Sequence, residues 1–170
     1  MGLVERIGGQ PRLKVDFGAD AGRETRDLTA AEAADHRSAL STVLALLRER
    51  FPNVRATAVG HRVVHGGPRH AEPMVISPDV LDALRALAPF APLHQPHNIV
   101  GIEAAIAAFP EAVQVACFDT AFHHTLPKVE RQLPLPHSAW DRGLRRYGFH
   151  GLSYAYMATA LPERHGDVAR

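Results

Sequence analysis

Apolar and polar positions divide this chain into short runs with two periods. GLVERI and RLKVDF, within residues 2 to 16, are brief apolar-rich segments separated by Gly8, Gly9 and Pro11, which predicts a loose β-hairpin. The period changes at Thr29. Thr29 stands three residues before Glu32, the spacing of a capping box, and His36, Leu40, Val43, Leu44 and Leu47 follow at helical intervals until Pro52 forbids continuation. Arg55 to Val59 predict a second short strand, with Arg62 just beyond it and a turn at Gly66 and Gly67. Ser77 before Pro78 starts a helix whose apolar face is Val80, Leu81, Leu84 and Leu87, ending at Pro89.

Three prolines in PFAPLHQPHN predict an extended, rigid loop that delivers His94, His97 and Asn98 at its end. Asn98 then caps a helix with Ile99, Ile102, Ala105 and Ile106 on one face, stopped by Pro110. Val113 to Phe118 is apolar except for Gln114 and too short for a buried helix, so it predicts an interior strand, with Asp119 directly after it. Beyond Pro127 the chain reads as irregular up to Arg146, and YGFHG leads into a last helical pattern that fades at Arg170. Strands alternating with helices predict an α/β lobe, without repeats or linkers.

Composition narrows the function classes. With 170 residues and 46% hydrophobic content the chain has material for one sizeable core. A formal charge of +1 and no basic stripe interleaved with aromatics argue against nucleic acid as a partner. Glu5 and Arg6 interrupt the start where a signal peptide needs an apolar core, and no apolar run reaches membrane-spanning length. The single Cys117, without a second cysteine, fits a reducing cytoplasm. The expectation is a soluble, cytoplasmic protein with no membrane partner.

Candidate chemistry gathers at the ends of the apolar runs. A carboxylate at the C-terminal end of a buried strand is where open α/β sheets place their chemistry, although Asp119 also suits a simple turn acceptor. Arg62, His94 and His150 are cationic or hydrogen-bonding groups on segments able to converge at strand ends, which predicts an anion site. No P-loop and no dinucleotide fingerprint is present. Eleven histidines invite a metal-hydrolase reading, but none of them forms HExxH on a helix.

Four segments resemble, in order and spacing, the acetate kinase family: GHRVVHGG (60 to 67), FAPLHQPHN (90 to 98), FDTAFHHTLP (118 to 127) and RRYGFHGLS (145 to 153). The resemblance runs from GLVERIG to the end of the chain. It implies a ribonuclease-H-like lobe of the acetate and sugar kinase, Hsp70 and actin superfamily, and reversible phosphoryl transfer from ATP to acetate, and also propionate, giving acetyl phosphate and ADP with Mg²⁺. By motif, Asp119 matches the catalytic aspartate, Arg62 the arginine at the substrate, His150 the transition-state histidine and His94 an active-site histidine. Val64, Leu93 and Phe149 match the apolar pocket for the methyl group.

One role is open to revision from chemistry. Acetate is ionised at neutral pH, so no base is needed to make the nucleophile, and Asp119 is expected to orient Arg62 or a Mg²⁺-bound water. The sequence departs from the family pattern at Gln95, Leu152 and Tyr154. The resemblance further implies that residues 1 to 170 are part of the N-terminal, substrate-side domain, incomplete at both ends. The nucleotide-binding domain and the main ATP and Mg²⁺ residues are expected outside this sequence, and the full-length protein is expected to be a homodimer. The competing expectation is a non-catalytic remnant that binds a carboxylate or phosphate weakly.

Overall fold

A computed structural model describes residues 1–18 and 22–166, so the tail of the last expected helix, 167–170, lies outside the described residues. The chain divides into two compact units, one of residues 1–57 with 100–112 and the other of 58–99 with 113–170.

The first unit holds an antiparallel sheet of β1 (Gly2–Glu5), β2 (Arg12–Asp16) and β3 (Arg23–Asp27), in that order, and helix α1 (His36–Arg50). Its core is Leu13, Leu28, Ala33 and Ala39, with Val4, Ile7, Val15, Val43 and Leu46 packed against them. Leu13 is fully buried, which for a leucine contributes about 1.5–3 kcal/mol. The hairpin is as expected; β3 is not. Its sequence, RETRD, has no apolar residue, and charge pairs across the ladder support it: Arg12 to Asp27 at 2.6 Å and Arg23 to Asp16 at 2.8 Å. A charged edge strand of this kind also resists pairing with other chains.

The start of α1 corrects the sequence expectation. Thr29 donates through its backbone N–H and its hydroxyl to Glu32 Oε2 at 2.8 and 2.9 Å, so the anticipated box forms, but it closes only a turn. The helix begins after Asp35, whose carboxylate accepts from Ser38 N at 2.8 Å while Ser38 Oγ accepts from Asp35 N at 3.0 Å. Two capping boxes lie in tandem, and the second one starts the helix.

The second unit holds β4 (Ala58–Val63), β5 (Met74–Val75) and β6 (Val113–Phe118) in the order β4-β6-β5, with β4 parallel and β5 antiparallel to β6. Strand β6 has the predicted limits. Strand β4 starts later than expected because its register pairs Ala58 with Val113, so Arg62 lies within the strand instead of beyond it. Side chains alternate: Val63, Gln114, Ala116 and Phe118 are buried, whereas Arg62 is on the opposite face of β4 from Val63.

Helix α2 (Pro78–Arg85) starts on the Ser77 cap as predicted, with Leu81 and Leu84 buried. The proline-rich segment is not extended. A 3-10 turn at Ala88–Phe90 runs through further turns into α3 (Gln95–Ala108), with helical bonds from Gln95 N to Ala91 O at 2.8 Å and Asn98 N to His94 O at 3.0 Å. Pro89 and Pro96 stand where helical turns begin, positions that lack an intrahelical N–H partner in any case. Two short helices, α4 (Lys128–Arg131) and α5 (His137–Asp141), occupy the stretch expected to be irregular, and α6 (Gly151–Arg164) follows GFH. No described helix is long and apolar enough to cross a membrane.

Candidate active site

The site forms where the parallel strands β4 and β6 end together. Register pairs Arg62 with Cys117 and Val63 with Phe118, so the residue after β6, Asp119, emerges beside Arg62. Asp119 N donates to Val63 O at 2.9 Å, which continues the ladder by one bond. Its side chain is buried, with the residue 1% exposed, and Oδ2 accepts from both Arg62 Nε (2.9 Å) and Arg62 Nη2 (2.6 Å). Both contacts fall on one oxygen. The other, Oδ1, is buried without a hydrogen-bond partner among the described residues.

Arg62 keeps 62% of its side chain exposed, so Asp119 holds the guanidinium by one edge while the remainder stays open. This hydrogen bond raises the arginine's already high pKa and keeps the cation fixed. Arg62 Nη2 also lies 3.2 Å from His150 Nδ1. A guanidinium can only donate, so Nδ1 is the acceptor and the ring proton sits on Nε2. In this arrangement the donor His150 has left to offer is its Nε2–H.

His150 is held by an unusual backbone. It adopts φ 58°, ψ 23° at the entry to α6, a left-handed conformation that histidine tolerates better than most residues. The next residue, Gly151, donates its N–H to Asp119 O at 2.8 Å, and a Cβ there would overlap that same carbonyl. Helix α6 therefore docks by its first residue directly on the end of β6, which fixes His150 against Arg62. Upstream, His123 Nε2 donates to Phe149 O at 3.0 Å.

These groups face a cavity of about 520 Å³. Its polar wall is Arg62, His94, Asn98, Asp119 and His150; its apolar wall is Val64, Phe90, Ala91 and Phe149. Six of the seven residues singled out in the sequence thus meet here. Leu93 does not: it is 77% exposed and lies outside the cavity. The reason is the helical course of the proline-rich segment, which carries Phe90, Ala91, His94 and Asn98 on one face at spacings of one, three and four and turns Leu93 away.

Phe90, Ala91 and Asn98 line the cavity without any sequence signal having assigned them to it. Asn98 is not a helix cap; its Oδ1 accepts from Val64 N at 3.0 Å and ties α3 to the chain just after β4. Behind the apolar wall, His65 is buried, its ring centroid 5.3 Å from Phe90 and 5.8 Å from Phe149, and its Nδ1 accepts from Gly67 N at 2.8 Å. Burial lowers its pKa, so it is neutral at neutral pH. The Gly66–Gly67 turn is pinned a second time, by Gly66 N donating to Thr120 Oγ1 at 3.1 Å.

No group of three or more His, Cys, Asp or Glu converges as a metal cage among the described residues. His61 pairs with Gln114 (2.8 Å), and His124 with the Pro68 carbonyl (3.3 Å). A single buried carboxylate oxygen without a partner, Asp119 Oδ1, nevertheless suits Mg²⁺, which takes one or two carboxylates and keeps several of its waters.

Residues 1–167 match the model of the Acetokinase family. Among curated relatives, the acetate kinase of Methylocella silvestris is 46% identical over 164 residues, covering 96% of this chain and 41% of that protein. The acetate kinase of Deinococcus radiodurans is 48% identical over 164 residues, covering 95% of this chain and 40% of that protein. Among solved structures, a propionate kinase from Francisella tularensis superposes with a TM-score of 0.84 at 32% identity, covering 96% of this chain and 41% of that one. The acetate kinase of Porphyromonas gingivalis gives 0.78 at 32% identity, covering 96% and 42%. The chain thus spans about two fifths of the length of the relatives it matches, and its fold is the α/β lobe expected from the sequence.

Proposed function

Because the chain belongs to the Acetokinase family, we propose that it is the substrate-side part of an acetate kinase, which transfers a phosphoryl group reversibly between ATP and acetate or propionate. The observation that carries this reading is the Arg62 guanidinium, held by one oxygen of Asp119 and touching His150, at the edge of a cavity with an apolar wall. That is a receptor for a small carboxylate whose free oxygen is about to meet a phosphoryl group.

The chain's residues divide the work. Val64 and Phe149 take the alkyl end of the acid, and Arg62 takes its carboxylate. One carboxylate oxygen attacks the γ-phosphorus in line; a P–O bond forms as the bond to ADP breaks, and ADP leaves with the electron pair. No proton moves, because the acid is ionised at neutral pH. Catalysis is then positioning and charge stabilisation, with Arg62, the His150 Nε2–H and His94 as the donors offered to the equatorial oxygens. Asp119 orients Arg62, and its Oδ1 would be the carboxylate oxygen left to help hold a hydrated Mg²⁺. When bound, Mg²⁺ neutralises charge on the β- and γ-phosphates. The reading extends to a cytoplasmic protein that pairs as a homodimer when joined to its nucleotide-binding domain, with residues 1–170 alone inactive.

Grafting tests it. Residues 1–167 replace the matching segment of the Methylocella silvestris acetate kinase, and acetyl phosphate is trapped as the hydroxamate. A folded graft that turns over, and that loses turnover in Arg62→Met, agrees with the reading. A well-folded graft that binds ATP but makes no acetyl phosphate removes it and leaves the non-catalytic remnant.

A further inference from the structure

A second cavity, of about 260 Å³, lies beside the acid site, lined by Arg69, His70, Leu87, Arg142 and their neighbours. One residue, Phe90, belongs to the linings of both cavities. Its ring is held from behind by His65, at 5.3 Å between centroids, and edge-on by Tyr147 at 6.3 Å. We propose that Phe90 is the partition that limits the length of the acid: it closes the acid cavity against the second one, and its size sets how many carbons are accepted.

The chemistry of the two linings supports this. The acid cavity opens on Arg62 at its polar wall, so an acid bound by its carboxylate directs its alkyl chain toward the apolar wall of which Phe90 is part. A two- or three-carbon acid stops short of the ring. A longer one meets it, and although Phe90 is 46% exposed, the side of the ring toward His65 is backed, because His65 is itself packed against Tyr147 at 4.4 Å. Shrinking Phe90 joins the two spaces. The lining of the gained space includes Arg69 and Arg142, so the best-matched new substrate is an acid with a second carboxylate at its far end.

The inference rests on the acyl-acceptor reading above, and its test separates the two. In the grafted enzyme, kcat/KM is measured for acetate, butyrate, valerate and the five-carbon dicarboxylate glutarate. Each methylene that finds apolar contact is worth about fourfold, and butyrate extends one carbon beyond the three-carbon acid that already fits, so Phe90→Ala should raise the butyrate-to-acetate ratio about fourfold, and Phe90→Leu, which keeps the fold more securely, by a smaller step in the same direction. Glutarate should gain more than valerate. Using the ratio removes any uniform loss of activity. No acetate turnover in the unsubstituted graft is a failure of the functional reading. Acetate turnover with an unchanged ratio in both Phe90 variants overturns the partition, as does broadening in Leu93→Ala but not in Phe90→Ala. Equal gains for glutarate and valerate overturn the cationic end of the path.

Discussion

Gly151→Ala is a substitution for which two physical effects predict opposite signs. Gly151 is the first residue of α6, where alanine is the better helix former by about 1 kcal/mol, so propensity alone predicts a more stable protein. The docking geometry predicts the reverse. A Cβ at this position would sit about 1 Å inside ordinary contact with the Asp119 carbonyl oxygen, and 3.0 Å from the Phe122 Cβ. The carbonyl is backbone at the end of β6 and cannot swing aside, so α6 must move instead. Overpacking of this kind costs about 1–3 kcal/mol. Stretching the 2.8 Å bond from Gly151 N to Asp119 O adds about 0.5–1.5 kcal/mol. The net destabilisation is about 1–3 kcal/mol, or about 2–10 °C in melting temperature for a domain of this size. Since the displaced helix carries His150, a shift of about 1 Å should also lower turnover about a hundredfold. Calorimetry and the hydroxamate assay, both on the grafted enzyme, measure the two effects. A Gly151→Ala protein that melts higher than its parent and keeps turnover within threefold would show that α6 is not seated on β6 as described.

Three further outcomes are expected. Arg62→Lys should lower kcat/KM by about 2–4 kcal/mol in transition-state terms, because an ammonium cannot hold Asp119 Oδ2 through two nitrogens and still face the cavity; steady-state kinetics on the graft decide, and a loss within threefold would make Arg62 a bystander. His65 is held neutral, its folded pKa below the unfolded value of about 6.5, so the unfolded chain takes up the proton first. Its contribution to stability is therefore intact above about pH 6.5 and is lost as the pH falls toward the lower folded value; urea unfolding between pH 7.5 and 5.5 should show this slope, diminished in His65→Gln. Gly101→Ala, inside α3 with open space at the position of its Cβ, should stabilise the protein by up to about 1 kcal/mol of helix propensity, seen as a higher melting temperature, and leave kinetics unchanged.

The parts of the fold legible in the sequence are those in which local pattern and tertiary demand coincide. The limits of β6 could be read because a six-residue apolar run ends abruptly on a carboxylate. The start of α2 could be read because Ser77 and Pro78 satisfy the end of a helix locally. Strand β3 could not, since it has no hydrophobic alternation and depends on partners across the ladder in β2. The start of β4 follows from where β6 begins, a fact about register that Arg55 to Val59 do not carry. In the candidate site, motif resemblance named seven residues, of which six line one cavity and Leu93 does not, while reading the prolines as extension-makers instead of helix-starters missed Phe90. A proline in the first turn of a helix looks, in sequence, the same as one in an extended loop; the hydrogen bonds that follow distinguish them.

The lopsided grip of Arg62 on Asp119 changes what the commonest inactivating substitution would do. Asp119→Asn is ordinarily made to delete a charge and leave a blank. Here Arg62 needs an acceptor, so the amide oxygen must turn toward the guanidinium, and the NH₂ group must then occupy the place of the orphaned Oδ1. The polarity of that position inverts, from a lone-pair surface inviting a hydrated cation to a donor inviting an anion. The altered protein is a different receptor, one whose guanidinium, imidazole and amide all offer hydrogens to the same small space, and inorganic phosphate or sulfate in the buffer becomes its natural occupant. Inhibition by such ions in this variant would report the inversion, and kinetics taken in phosphate buffer would confuse it with the loss of a catalytic group.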